Sequence, residues 1–104
     1  MSFAPIRTRL VDAVFARLGE AATWTGVDGP VRVRPTEREE AADFGQSRDV
    51  VLINFIRVRR SEVPAAAIGQ TVTLVDDGRV FTVMAEPILT RNAVWICQVA
   101  PVAA

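Results

Sequence analysis

Cys97 is the only cysteine in the chain, and histidine, lysine and tyrosine are absent, so few residues are equipped to do chemistry. A lone thiol cannot form a disulfide within the chain or a thiolate metal cluster. Without histidine, the commonest general base and the commonest metal ligand are both missing. All twelve cations are arginine. Arginine stays charged and cannot act as a Schiff-base or general-base lysine does. Cys97 lies in an apolar run with no cationic neighbour, which reads as a buried, inert thiol. Glu37, Glu39 and Glu40 crowd together, but no second ligand cluster accompanies them, and they read as a solvated charge run. Gly69 and Gly78 stand alone rather than in a phosphate-binding loop. No catalytic, cofactor or metal site is expected, and the chain does not read as an enzyme.

The feature that stands out is Arg57, Arg59 and Arg60, followed by Glu62. Arg57 and Arg59 continue a strand face that is apolar through Val51, Ile53 and Phe55. One reading is a strand emerging into solvent. The other is a salt-bridged contact at a subunit edge, because arginine suits interface ion pairs, with Glu62 as a nearby partner. Phe44, a lone aromatic in a polar stretch, is a second candidate contact.

These residues need elements to position them. The 104 residues carry 50% hydrophobic and 23% charged side chains, the balance of a single globular domain spanning 1–104. The charges cancel at twelve against twelve, which argues against a dedicated nucleic-acid binder. Residues 2–5 are neither basic nor a long apolar stretch, so no secretory signal is expected. The longest apolar run, Val50–Ile53, is far short of the roughly 18 residues that span a membrane. One unpaired thiol suits a reducing cytoplasm.

Pro5 suits a first helical turn, and Ile6, Leu10, Val14 and Leu18 recur every four residues, with Val11 and Phe15 widening the stripe. The spacing predicts a helix over about 5–21 that lids a core or turns part of a wide apolar face to a neighbouring chain. Strands are expected between 22 and 100. Val31–Arg34 alternates valine with Arg32 and Arg34, giving a half-buried strand with a wet basic face. Residues 36–48 break the pattern and read as a mobile surface loop, the alternative being a short helix opened by a Thr36–Glu39 capping box. Residues 49–60 form the strongest strand, apolar on both faces in its first half, so both faces call for cover. Asp76-Asp77-Gly78 between β-rich runs signals a hairpin. The fold expected is mainly β (α+β): an N-terminal helix packed on a small antiparallel β-barrel or sandwich of about six strands. Leu10, Val14, Leu18, Trp24, Val33, Leu52, Ile56, Val72, Leu74, Phe81, Val83, Trp95 and Cys97 are its candidate core.

Three runs carry a resemblance in order and spacing. Ile56–Val63 is a strand entering an Arg/Ser/acidic turn, Gly69–Leu74 opens as Gly-x-Thr, and Asp77–Val83 is a hairpin with an aromatic-x-Val strand. Over Phe55–Val99 the chain resembles the lambda-type head–tail joining proteins of tailed bacteriophages, also called tail attachment or head completion proteins. Gln70 departs from the aspartate commoner there. The resemblance implies a non-enzymatic virion part made in the bacterial cytoplasm. Such proteins form a ring under the portal connector, on which the tail docks. Portal, connector and tail proteins and further copies of itself would be the partners, with no membrane, small-molecule substrate or specific nucleic acid. Arg57, Arg59, Arg60, Glu62 and Phe44 would be the contact residues. Two other readings remain open: a small β-barrel module binding single-stranded nucleic acid, with Arg32, Arg34, Arg57 and Arg59 forming the groove, and a non-phage assembly subunit of similar fold.

Overall fold

The computed structural model describes residues 4–44 and 47–102. Helix α1 (Ala4–Leu18) leads into seven strands: β1 (Glu20–Trp24), β2 (Val31–Phe44), β3 (Ser47–Arg59), β4 (Thr71–Leu74), β5 (Val80–Val83), β6 (Ile88–Leu89) and β7 (Val94–Pro101). All pairings are antiparallel, in the order β3-β2-β1-β4-β5-β7, and β7 returns to β3 to close a six-stranded barrel. β6 extends the sheet from β7. This is the helix-plus-barrel architecture expected from the sequence.

Strand alternation fills the barrel from within. Val33, Ile56, Val58, Val72, Leu74, Val83 and Cys97 point inward and are fully buried, with Trp24 and Phe81 beside them. Trp95 packs half-buried at the edge of this cluster. Its indole N–H donates to the Val63 carbonyl at 2.8 Å.

Because the barrel fills itself, α1 does not lid it. The helix lies on the outer wall and anchors itself there through Phe15, which is 3% exposed, and half-buried Val11. The stripe that looked like core faces solvent: Leu10 and Leu18 are 63% and 62% exposed, and Ile6 and Val14 are exposed too. Leu10, Val14 and Leu18 are therefore corrected from core to surface.

The helix also ends earlier than its periodicity suggested, at Leu18 rather than residue 21. Gly19 donates its N–H to the Phe15 carbonyl at 2.9 Å, and a Cβ at Gly19 would lie 2.3 Å from that oxygen. Only glycine fits so close an approach. Glu20–Ala22 then pairs with Val31–Val33.

The second correction concerns residues 36–48. Residues 36–44 and 47–48 are strand, neither loop nor helix, and 45–46 lie outside the described residues. β2 runs on to Phe44 and β3 begins at Ser47, in unbroken register from Val33↔Val58 to Phe44↔Ser47. The capping pattern at Thr36 loses to a partner strand rich in β-branched residues, which satisfies the backbone while the charges stay in water. β3 meets β7 only from Asn54 to Arg59. Residues 47–53 pair with β2 alone, making a two-stranded arm roughly 23 Å long at 3.3 Å per residue. The molecule measures 55 × 34 × 23 Å, and its radius of gyration of 15.2 Å exceeds the roughly 13 Å of a compact chain this long. Leu52, expected in the core, lies on this arm and is 56% exposed.

Candidate docking surface

β3 places its odd-numbered residues on the outer wall, facing α1. Two of them, Arg57 and Arg59, have different roles. Arg59 clips the helix to the barrel. Its Nη1 donates to Asp12 Oδ1 on α1 at 2.8 Å, and its Nη2 donates to Glu62 Oε1. Its guanidinium lies 5.2 Å from the centre of the Phe15 ring. The other Glu62 oxygen accepts the Arg32 N–H at 2.9 Å, tying the turn after β3 to the start of β2. Arg32 in turn donates from Nη1 to the Gly19 carbonyl at the end of the helix. Arg59 and Glu62 are thus engaged inside the chain and position α1.

Arg57 stands directly opposite Arg34 across the β2–β3 ladder. Like charges in such a pair repel, and neither has an ion-pair partner among the described residues. Both line a groove of about 380 Å³ between α1 and the barrel wall, whose helix side is Leu10, Val11, Val14 and Phe15. Arg60 is exposed at the end of the strand, its backbone N–H held by the Ala93 carbonyl at 2.9 Å. The backbone of Phe44 closes β2 opposite Ser47, and its side chain lies outside the described ones.

Where the ladder passes from the barrel wall into the arm, the described charges from Arg34 to Glu39 sort by face. The face continuous with the outer wall holds Arg34/Arg57, Thr36/Phe55 and Arg38/Ile53 as cross-strand pairs. The Arg38 guanidinium stacks 5.0 Å from the Phe55 ring centre. The face continuous with the barrel interior holds Glu37/Asn54 and Glu39/Leu52. Glu37 and Glu39 are exposed and without ion-pair partners among the described residues. The reading of these acids as a plain charge run missed their sorting. The Glu37-Arg38-Glu39 alternation, which Glu40 ends, is the signal that could have found it, once a strand is assumed there.

Cys97 sits in the barrel core, where burial pushes its thiol up to about 11. It is protonated and unreactive near neutral pH. The outer wall presents charge and apolar area, which suits binding another protein.

A family model of phage head–tail attachment proteins matches residues 3–99. The chain belongs to this family. The match extends the resemblance read over Phe55–Val99 to nearly the whole chain. Family membership gives it a structural role at the head–tail junction of a phage particle, in the virion, interacting with head and tail components. No match to a curated protein accompanies it. The departure at Gln70 has a local purpose. Its Oε1 accepts the Trp24 indole N–H and the Ala67 N–H, both at 2.8 Å, and its Nε2 donates to the Ala65 carbonyl at 3.1 Å. An aspartate has no N–H for that last bond.

Proposed function

We propose that the chain forms a ring beneath the portal connector and supplies the surface on which the finished tail docks. It is made in the cytoplasm of the bacterial host, does no catalysis, and completes its ring on the connector rather than before. The observation that carries this reading is the family match, which covers the helix, the arm and the barrel alike. The outer wall supports it. A stripe of Ile6, Leu10, Val14 and Leu18 is left in water, and its middle lines a groove with two arginines that have no ion-pair partner among the described residues; exposed apolar patches with a charged rim mark protein contacts. Arg57, Arg60 and Phe44 are proposed as direct contacts, while Arg59 and Glu62 act by holding α1 in place.

The experiment is complementation in vitro. Heads purified from cells lacking this chain are mixed with finished tails, with and without the purified protein. Joining only when the protein is present, with several copies retained per head, supports the reading. Heads that acquire tails equally well without it would refute the role. Binding as single copies would refute the ring.

A further inference from the structure

We propose that neighbouring copies pack with the arm side of one against the helix groove of the next. Glu37, Glu39 and Leu52 at the root of one β2–β3 arm lie against the arginine pair and helix groove of the next copy (Arg34 and Arg57 with Leu10 and Val14). The proposal rests on the ring reading and assigns its subunit contact.

Both halves of the contact are incomplete in the single chain. Among the described residues, Arg34 and Arg57 face each other with no ion-pair partner, and Glu37 and Glu39 lie exposed with none. Each charged pair has apolar surface beside it. Leu52 is exposed next to the glutamates, and Leu10 and Val14 are exposed beside the arginines. Because side chains alternate along a strand, the two sets lie on opposite faces of the same ribbon, within a few residues of one another.

That arrangement selects the symmetry. A two-fold pairing centred on Arg34 and Arg57 would set those arginines against their own copies, and one centred on Glu37 and Glu39 would set glutamate against glutamate. Like charges brought together oppose docking. A head-to-tail contact joins the arginine pair to the glutamates instead, and such a contact leaves a free face at each end and so continues to a ring or an open chain. The chain's formal charge of zero also lets many copies gather without net repulsion.

The test uses head-bound protein. Leu10→Cys and Leu52→Cys are introduced together and oxidised on heads that carry the chain, while Cys97 is too buried to interfere. A disulfide ladder running past the dimer is expected from the double variant, and none past the dimer from either single variant. Adding Arg34→Glu with Arg57→Glu should cut the cross-linked fraction at least tenfold. Adding Glu37→Arg with Glu39→Arg to that chain should restore it, because every contact is then reversed in sign. Retained helical circular dichroism and a protected Cys97 report folding. Should the charge reversal unfold the chain, Arg34→Gln with Arg57→Gln should lower the ladder in the same direction. Heads that bind the double-cysteine protein and join tails without a ladder would overturn this contact and leave the ring reading standing. A protein that fails to bind heads even as wild type would overturn both.

Discussion

Replacing Phe15 with alanine should undock α1 while leaving the barrel folded. Among the described residues, Phe15 is the one helix side chain buried against the barrel, with Val11 half-buried beside it. Truncating a buried phenylalanine costs about 3–5 kcal/mol in a closed core. Phe15 lines an open groove, so the low end, about 3 kcal/mol, applies to the burial and the Arg59 contact together. A 15-residue helix is marginal in water on its own, so an undocked α1 should unfold. At about 1.4 kcal/mol per tenfold, helix opening becomes roughly 100-fold more frequent. Amide hydrogen exchange read residue by residue is the assay. Amides of residues 11–18 should exchange roughly 100-fold faster, while those of Val58 and Val72 keep their rates. Acceleration spread equally over helix and barrel would refute the reasoning, since α1 would then belong to the same cooperative unit. Unchanged helix rates would show that Phe15 is not its anchor.

Arg59→Met should release the helix in the same way but more weakly, because the Asp12 pair it removes is half-exposed and worth about 1 kcal/mol or less; a several-fold rise in helix exchange that loses its salt sensitivity is the expected result. Arg57→Glu, by contrast, should leave helix exchange and melting temperature near wild type while abolishing tail joining, because Arg57 has no partner inside the described chain. Gln70→Glu puts a carboxylate oxygen against the Ala65 carbonyl in place of an N–H, which should cost about 1–2 kcal/mol and lower the thermal midpoint by several degrees. Cys97 should resist thiol reagents at pH 8. Its folded pKa of about 11 is raised by burial, so the native state keeps its proton while the unfolded thiol ionises. Stability is therefore full below the ordinary thiol pKa and falls as pH rises toward 11, a trend that Cys97→Ala should flatten in alkaline urea titrations.

Local patterns settled much of this protein. Asp76-Asp77-Gly78 turns tightly whatever surrounds it, and Gly78 adopts the positive φ of 72° that such a turn demands. Valines at 31 and 33, or at 72 and 83, alternate with polar residues, and each pair lands inside the barrel. The missing histidine, lysine and tyrosine narrowed the available chemistry before any coordinates, and three short runs in order pointed to the family.

Periodicity reports that a face is apolar but not what will cover it, and tertiary structure decided that. Ile6, Leu10, Val14 and Leu18 repeat as core residues do, yet closure of the barrel leaves them nothing to cover, and the less conspicuous Phe15 makes the contact. Residues 36–44 carry no strand signal of their own. They become a strand because β3 lies alongside in register over its whole length, and a strand exists only through its partner. Arg57 and Arg59 share one face two residues apart, and nothing in their immediate neighbours separates them. Only the approach of Asp12 and Phe15 from the distant helix turns Arg59 into a clip, while Arg57, facing Arg34, has no ion-pair partner among the described residues.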